Sequence, residues 1–399
     1  MKLKPEKSTH ALNVQTRSHN LQELAGLFAK LGFIGFGGPA AHIAMMEEEV
    51  VKRRAWMTHE HFLDLLGVTN LIPGPNSTEM AIHIGLVRAG WQGLIVAGVC
   101  FIAPAIAITL GFAYLYVTYG SLPQLAPIVA GIRPAMIAVI LGAVYRLGKP
   151  IAKKSLPPVV IGVVVAILAL MQVNEIVLLF SGGFAALAWN YRLRLGNISS
   201  TFFAMFLVAP LALPVVQTMV PSSTITLTGL GLYFLKIGSI LYGSGYVLVA
   251  FLQGGLVEAR HWLTQTQLLD AVAVGQFTPG PVLSTATFIG YDILGFPGAA
   301  AATVGIFLPS FVFVLIVSPF VPKLRTVPSL RTCLDGVNAS ALGLMLAVCV
   351  TLAVSTLGSP VLWLIFLGSG ASILVWNVHP AWLVAGSALV SWLAAIVRV

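Results

Sequence analysis

The sequence predicts an all-α polytopic membrane protein made of two inverted-topology repeats with broken or re-entrant helices, about 13 membrane segments in total. Three observations predict it: an apolar composition, motifs that recur at a constant spacing, and opposite charge distributions in the two halves. Of the 399 residues, 58% are hydrophobic and 9% are charged, and the mean hydropathy is +0.94. Soluble proteins average about 25% charged residues, so this chain could not cover a water-exposed surface.

The composition also excludes several classes of function. The net charge is +9, but most charges lie in short loops, whereas nucleic-acid binding needs a clustered basic surface. Cys100, Cys333 and Cys349 are far apart in apolar runs, without the spacing of a metal site or a disulfide framework. The chain has no phosphate-binding loop and no HExxH, GxSxG or CxxC motif. We therefore expect no enzyme activity, no cofactor and no nucleic-acid partner.

The membrane segments fall into an uninterrupted and an interrupted group. A transmembrane helix needs about 20 mostly apolar residues. The uninterrupted candidates are 91–118, 124–145, 157–172, 176–190, 201–220, 298–320, 333–354, 360–375 and 380–397. The interrupted candidates are 21–46, 62–85, 228–250 and 268–290, each broken by Gly or Pro, which end or kink a helix. Residues 1–20 are polar and lack a signal-peptide pattern, which predicts a cytoplasmic N-terminal tail.

The interruptions recur at a fixed spacing, which predicts an internal duplication. Lys30, Gly37, Trp56 and Pro73-Gly74-Pro75 each have an identical counterpart 206 positions later. The counterparts are Lys236, Gly243, Trp262 and Pro279-Gly280-Pro281. After one deletion the spacing becomes 205. We predict a first membrane repeat over 21–195, a linking transmembrane helix over 196–225 and a second repeat over 226–399.

The two repeats carry their basic residues in opposite loops. In the first half, Arg146 to Lys154 follow the fourth segment, and the loop at 119–124 has no Lys or Arg. In the second half, Lys323 to Arg331 lie in the loop that matches 119–124. Because Lys and Arg collect on the cytoplasmic side, this reversal is typical of an inverted repeat.

The number of crossings depends on the interrupted segments. If all four cross the membrane there are 13 crossings, and if they are re-entrant there are nine; we favour 13. The basic cluster Lys52–Arg54 would lie outside the cell in the first layout and inside it in the second. The inversion holds in both layouts because both numbers are odd.

Broken helices at matching positions of inverted repeats indicate a transport site. A helix that begins inside the membrane presents free N–H groups and the positive end of its dipole, which favours an anion. Pro suits the first helical turn, and Gly lets the backbone approach closely. The anion-binding residues predicted at the breaks are Gly38, Gly74, Asn76, Ser77, Thr78, Gly243, Ser244, Thr278, Gly280 and Ser284. The alternative is that their side chains only cap helices.

Charged residues inside apolar segments complete the predicted site. A charge in a membrane segment is a functional hypothesis by default, so Lys30, Lys236 and Arg133 are added to the anion-binding residues. The alternatives are that the lysines extend to the membrane edge and that Arg133 pairs with a structural carboxylate. Glu79 and His83 are candidates for carrying a coupling proton, and the alternative for His83 is a satisfied structural histidine.

These motifs resemble the chromate ion transporter family. The resemblance lies in Phe36-Gly37-Gly38-Pro39, Val51, Trp56 and Pro73-Gly74-Pro75, echoed by Gly243, Val257, Trp262 and Pro279-Gly280-Pro281. It covers nearly the whole chain, and it is closest to the long members, which have two homologous halves of opposite topology. One departure is Gly85, which falls about one residue short of the family spacing.

The resemblance implies a secondary transporter, expected to be an antiporter, that exports chromate across the bacterial inner membrane and gives chromate resistance. The proton-motive force is the implied energy source. Chromate is a tetrahedral dianion similar to sulfate, so sulfate is an expected competitor. The expected partners are the oxyanion, the lipid bilayer and a second copy of the chain in a homodimer. The alternatives are a transporter of another anion such as sulfate, and a non-transport membrane assembly or lipid-handling protein.

Overall fold

The computed structural model describes residues 6–36, 38–120, 122, 126–154, 156–195, 225–242, 245–320, 328–376 and 378–397. Every regular element within those ranges is helical, which confirms the all-α prediction. The predicted linking helix lies outside the described residues except for its last position, and so do the predicted site residues Gly243 and Ser244.

The helices are numbered in chain order. They are α1 (Glu6–Ile34), α2 (Pro39–Glu47), α3 (His59–Thr69), α4 (Asn76–Tyr119), α5 (Ala126–Lys154), α6 (Leu156–Leu170), α7 (Glu175–Leu195), α8 (Leu227–Ile240), α9 (Leu248–Leu252), α10 (Gln265–Phe277), α11 (Thr285–Val317), α12 (Pro328–Thr356), α13 (Pro360–Trp376) and α14 (Pro380–Val397). A π-helical turn follows α2 (Glu48–Arg53) and another follows α9 (Gln253–Glu258). Because α1 begins at Glu6, the predicted N-terminal tail is helical from that residue on.

Helix α4 turns sharply near one third of its length. Gly90 has φ 63° and ψ −152°, a left-handed conformation that glycine adopts without a steric penalty. The short arm, 76–88, therefore folds back on the long arm, 91–119. The arms are so close that a methyl group built on Gly85 would overlap the carbonyl oxygen of Gly93.

Helix α11 repeats this turn in the second half of the chain. Gly295 has φ 62° and ψ −151°. A methyl group on Gly290 would overlap the carbonyl oxygen of Gly298, so the short arm of α11 also folds back on its long arm. These three glycines occupy the repeat positions of Gly85, Gly90 and Gly93 in α4.

Both interrupted segments of the first half double back on themselves. Nη2 of Arg88, at the end of the short arm of α4, lies 3.0 Å from Oε2 of Glu23 in α1. The Arg88 guanidinium also lies 4.8 Å from the ring centroid of Trp56, between the π-helical turn and α3. The outer ends of the segments containing α1–α2 and α3–α4 thus meet at one level, as in re-entrant hairpins.

The second half is folded in the same way. Nε2 of Gln267, at the start of α10, donates a hydrogen bond of 3.0 Å to Oδ2 of Asp292, at the end of the short arm of α11. A methyl group on Gly229, near the start of α8, would lie 3.8 Å from the ring of Trp262. Gly229 and Trp262 hold the repeat positions of two of the three residues that meet in the first half.

The two halves are interlocked through their later helices. Helix α5 of the first half packs mainly on α13 and α14 of the second, and α12 packs mainly on α6 and α7 of the first. Small residues permit this close approach: a methyl group on Gly131 would overlap Ser391, and one on Gly182 would overlap Ser340. The packing between the halves is therefore reciprocal, because later helices of each half lie against those of the other.

The helices also agree with a multi-pass membrane protein. Within the described ranges, four stretches are long and apolar enough to cross a membrane: Asn76–Tyr119, Pro127–Lys153, Val282–Val317 and Ser329–Thr356. Shorter apolar helices accompany them, among them Leu156–Leu170 and Pro360–Trp376.

Candidate functional site

The breaks of the two halves are joined by a reciprocal pair of hydrogen bonds. The backbone N–H of Gly74 donates to the carbonyl oxygen of Leu241 at 2.7 Å, and that of Gly280 donates to the carbonyl oxygen of Gly35 at 2.8 Å. Each Pro-Gly-Pro turn is therefore bonded to the break after the first helix of the opposite half. Buried away from water, such bonds are electrostatically stronger than in solvent, so they fix the breaks in one place.

Glycine is needed in both turns because of the backbone conformation. Gly74 has φ 145° and Gly280 has φ 98°, values that L-residues with a side chain rarely adopt. A methyl group on Gly280 would come within 2.9 Å of Cβ of Ala105 in the long arm of α4. The turns can therefore approach the long helices only while they carry no side chain.

Three helical segments begin at these breaks without a capping side chain. Helix α2 begins after Gly38, which has φ 80°, and α4 begins after Pro75; neither residue caps its helix. The turn Val282–Ser284 that leads into α11 begins after Pro281 in the same way. Uncapped helix N-termini carry partial positive charge and unpaired N–H groups, so the breaks suit an anion.

A group of buried oxygens without partners lies beside the first of these turns. Glu79 and Ser310 are fully buried, and within the described part of the chain neither the carboxylate oxygens of Glu79 nor Oγ of Ser310 has a hydrogen-bond partner. A methyl group on Gly74 would overlap Oε1 of Glu79 and lie 2.7 Å from Oγ of Ser310. Thr78, next in the chain to Glu79, also has a buried hydroxyl without a partner. Buried polar atoms are almost always hydrogen-bonded, so this group indicates a ligand site.

His83 lies one turn further along the same helix. It is fully buried, and neither of its ring nitrogens has a hydrogen-bond partner. Positions four apart share a face of an α-helix, so Glu79 and His83 point to the same side of α4. The two predicted proton carriers are thus neighbours on one buried face.

The hydroxyl groups beside the second turn are bonded to one another. Oγ1 of Thr109, in the long arm of α4, lies 3.4 Å from Oγ1 of Thr278 and 3.2 Å from Oγ of Ser284. Oγ1 of Thr278 also donates to the carbonyl oxygen of Val274 at 2.7 Å. The predicted site residues Thr278 and Ser284 are therefore brought together with a third hydroxyl, and their hydrogen bonds lie within the protein.

Arg133 has a structural partner. Its Nε and Nη2 atoms donate to the two carboxylate oxygens of Asp270 at 2.9 and 3.0 Å. Tyr116 donates a further hydrogen bond of 2.9 Å to Asp270. Such a bidentate pair is among the strongest polar contacts in proteins. It neutralises the guanidinium, so the geometry supports the pairing alternative for Arg133 over binding of the anion.

Lys30 lies in a cluster of charged side chains. Its Nζ is 2.9 Å from Oε1 of Glu49, and half of the lysine side chain, 51%, is exposed. Arg53 and Arg54 approach the same carboxylate at 3.3 and 3.5 Å. The hydrogen bond from Lys30 is the main cause that lowers the pKa of the Glu49 carboxyl. The ammonium of Lys30 is therefore already neutralised by a neighbour.

Lys236 occupies the repeat position of Lys30 in different surroundings. It is exposed, and it interacts electrostatically with Glu175 at the start of α7. A methyl group on Gly254 would overlap the carboxylate of Glu175. The carboxylate that interacts with Lys236 thus comes from the opposite repeat, and Gly254 of the second half leaves room for it.

The remaining predicted residues at the α4 N-terminus differ in position. Asn76 donates a hydrogen bond of 2.7 Å from Nδ2 to Oδ1 of Asn70, in the loop that precedes the Pro-Gly-Pro turn. Ser77 is buried. Asn76 thus bonds back to its own loop, whereas Ser77 lies on the buried side of the helix.

Sequence reasoning missed Ser310 and Thr109. Each is a hydroxyl residue within a long apolar helix, and its repeat counterpart, Ala105 or Val314, has no hydroxyl. Searching for features common to both halves therefore passes over them. The available signal was a polar residue deep in an apolar run, which for Ser310 directly follows Pro309.

An all-α membrane protein whose broken helices meet around buried polar groups has the architecture of a membrane transporter. The family described as "Chromate transporter" matches residues 22–187 and again residues 228–392. The chain therefore belongs to the chromate transporter family, whose members are transporters and not enzymes.

Several relatives match over most of the chain. The chromate transport protein of Cupriavidus metallidurans is 33% identical over 359 residues, which cover 88% of this chain and 87% of the relative. The chromate transport protein of Pseudomonas aeruginosa is 33% identical over 345 residues, covering 83% and 80%. The probable chromate transport protein of Synechococcus elongatus is 32% identical over 335 residues, covering 82% and 83%. No solved structure matches the chain.

Proposed function

We propose that the protein is a secondary transporter that exports chromate across the bacterial inner membrane, driven by the proton-motive force. The anion binds between helix N-termini at the meeting point of the two repeats. The observation that carries this proposal is the buried group of Glu79, Thr78 and Ser310, whose oxygens lack partners, at the uncapped start of α4. The family membership and the chromate transport proteins among the relatives support the choice of substrate.

The chemistry of the breaks suits a tetrahedral oxyanion. Free N–H groups of the first turn of α4 and the hydroxyls of Thr78 and Ser310 are donors, and each oxygen of the anion can accept them. The geometry offers no contact that separates chromate from sulfate, so sulfate is an expected competitor. Charge and shape, with donors around the anion, determine what the site accepts.

We further propose that the interrupted segments are re-entrant, giving the layout with nine crossings and two inverted repeats. The contacts that join the outer ends of each hairpin support this layout over the one with 13 crossings. In it, Arg53, Arg88, Lys149, Lys153 and Arg331 share one side of the membrane with the N-terminus. Because Lys and Arg favour the cytoplasmic side, that side is the cytoplasm.

The energetics of export agree with this orientation. Moving one elementary charge through 100 mV is worth about 2.3 kcal/mol, and a dianion leaving a negative interior gains about twice that amount. The membrane potential therefore assists export directly. Glu79 and His83, buried on one face of α4, are the groups that would couple the anion to a proton.

Chromate flux in inside-out vesicles tests this function. We expect uptake that depends on an imposed membrane potential and pH gradient and that sulfate inhibits. Ser355→Ala removes a hydroxyl at the end of α12, far along the chain from Thr78. It controls for the loss of a hydroxyl and should transport like the wild type. If the folded protein moves another anion but not chromate, that other anion is the substrate. Folded protein that moves no anion would favour the membrane assembly or lipid-handling alternative.

A further inference from the structure

Glu79 is an unusual component of an anion site because it is itself an acid. It is fully buried, both carboxylate oxygens lack hydrogen-bond partners, and Oε1 lies at the turn formed by Gly74. Ser310 reaches the same turn from α11 of the other repeat, also buried and without a partner. These are side chains from both repeats aimed at one point beside an uncapped helix N-terminus.

Among the residues that the structure describes, those around Glu79 offer it no permanent positive charge. On its own helix the nearest titratable residue along the same face is His83. From the break after α8, the phenol of Tyr242 is close enough to interact electrostatically with Glu79. From α11 the neighbour is the neutral Ser310. The cations Arg133 and Lys30 are bound to other carboxylates, Asp270 and Glu49.

A negatively charged Glu79 and a dianion cannot share this site favourably. Like charges repel strongly where the surroundings have a low dielectric constant, and burial alone disfavours an ionised carboxylate. A protonated carboxyl has the opposite effect, because it donates a hydrogen bond that the anion can accept. Binding of the anion and of a proton should therefore promote each other.

We propose that this site binds a tetrahedral oxyanion and one proton together, with the proton on Glu79 and with Ser310 as a second donor from the opposite repeat. The inference rests on the proposed function and adds the protonation step to it. The anion leaves together with its proton as a unit of net charge −1, so the membrane potential, the electrical part of the proton-motive force, drives the export. The proton is taken from water onto a carboxylate oxygen of Glu79, and no other bond changes. The site is thus specific for anions with a free oxygen facing the protonated carboxyl.

Proton uptake upon anion binding tests the proposal. The purified full chain in detergent is titrated with sodium chromate, and separately with sodium sulfate, in weakly buffered solution above neutral pH. The titration is repeated at increasing pH, and where Glu79 is ionised in the free protein we expect the wild type to take up about one proton per bound anion and its Kd to rise about tenfold per pH unit, as linkage of one proton requires. Glu79→Gln should bind without proton uptake and with a Kd independent of pH.

Two controls isolate the residue. Free chromate titrates identically in every sample, so the difference between wild type and Glu79→Gln belongs to the protein. Asp292→Asn removes a carboxylate that is hydrogen-bonded to Gln267, and it should take up the proton like the wild type. Ser310→Ala should weaken binding about fivefold, the effect of one hydrogen bond, with proton uptake unchanged.

The outcomes distinguish a failure of this inference from a failure of the proposed function. Wild-type protein that binds chromate with no proton uptake at any pH tested and with a Kd independent of pH overturns the inference and leaves the transporter standing, as does Glu79→Gln with undiminished uptake. Folded wild-type protein that binds neither anion at any pH contradicts the proposed function itself. If Glu79→Gln fails to fold, the wild-type uptake and the pH dependence of Kd still decide the matter.

Discussion

The two Pro-Gly-Pro turns have the same backbone and different chemistry. Gly74 and Gly280 both have a positive φ and both donate to a carbonyl oxygen of the opposite half. Beside Gly74 lie Glu79 and Ser310, whose oxygens lack partners, whereas Gly280 faces the methyl group of Ala105. The duplication placed equivalent turns in the two repeats, but the polar groups available to a ligand are concentrated beside only one of these turns.

The first prediction concerns whether the two repeats are inverted and whether their interrupted segments are re-entrant. Ala55 and His261 hold equivalent positions, both are exposed, and both have a positive φ. In the nine-crossing layout they lie on opposite sides of the membrane. We expect a membrane-impermeant thiol reagent to label Ala55→Cys only from the cytoplasmic side and His261→Cys only from the outside.

The labelling needs a background without native thiols, in which Cys100, Cys333 and Cys349 are replaced by serine or alanine. The result is close to all-or-none, so it decides between layouts. Labelling of the two positions from reversed sides would restore the layout with 13 crossings. Labelling of both from one side would contradict the inversion altogether.

The second prediction compares the two turns directly. Gly74→Ala and Gly280→Ala both impose a side chain on a strained backbone, at about 1–3 kcal/mol. Only Gly74→Ala also pushes against Glu79 and Ser310. We expect it to weaken chromate binding at least about tenfold, and Gly280→Ala to weaken it by about threefold or less.

A third glycine serves as the control for strain alone. Gly295 has φ 62° and open space where a methyl group would stand. Gly295→Ala should lower the thermal midpoint of the detergent-solubilised protein and leave chromate affinity unchanged. Equal losses of affinity at Gly74 and Gly280 would mean that the anion lies midway between the turns.

The third prediction concerns an ion pair that joins the two halves, in which the arginine has no charged counterpart at its repeat position. Arg133 pairs with Asp270, and the repeat counterpart of Arg133 is Asn338. Removing one member of a fully buried pair costs about 3–5 kcal/mol. The Arg133 side chain is 24% exposed, so Arg133→Leu should lose less than that amount and still unfold at clearly lower denaturant. Asn338→Leu should cost about 1 kcal/mol or less.

The double variant Arg133→Leu/Asp270→Leu distinguishes pairing from ligand binding. Replacing both members by apolar side chains is often neutral, so most of the lost stability should return. If Arg133→Leu instead keeps its stability and loses chromate binding, the arginine touches the anion and the site lies nearer to α10.

The breaks could be predicted from the sequence because their causes are local. Pro73 removes a backbone donor, Gly74 permits a positive φ, and both effects are properties of a single residue. The all-α class followed from composition alone, and the spacing of Trp56 and Trp262 revealed the repeat. These features do not depend on which distant segment packs against them.

The partners of the charged residues could not be predicted from the sequence, because they depend on which distant segments pack together. Arg133 and Asp270 are 137 positions apart, and the contact exists only because α5 packs into the other half. Ser310 reaches Gly74 in the same way, across the two repeats. Hydropathy also cannot tell a half-crossing from a full one, because a short helix that turns back is as apolar as one that continues.

The last prediction concerns the two lysines, where we expect the smallest effects. Lys30 is half-exposed, and Glu49 keeps Arg53 and Arg54 nearby when Lys30 is removed. Partly exposed pairs contribute about 0.2–1 kcal/mol, so Lys30→Ala should lose no more than that on chemical unfolding. Chromate affinity separates the two interpretations of this residue. An ammonium that touches the anion would be worth about tenfold or more in Kd, whereas a lysine that only holds Glu49 should change Kd by about threefold or less.

Lys236→Ala is the companion measurement because the acidic partner differs. Glu175 comes from the opposite repeat, is packed against Gly254 and interacts electrostatically with Lys236, so the charge of this lysine acts between the two halves. We expect Lys236→Ala to lower the unfolding midpoint more than Lys30→Ala does, and Lys236→Ala/Glu175→Gln to recover part of the loss. Equal losses of stability from Lys30→Ala and Lys236→Ala would mean that the two lysines have the same structural role in their repeats. A larger effect at Lys236 would mean that this lysine helps to hold the two repeats together, a role that the first half assigns to other residues.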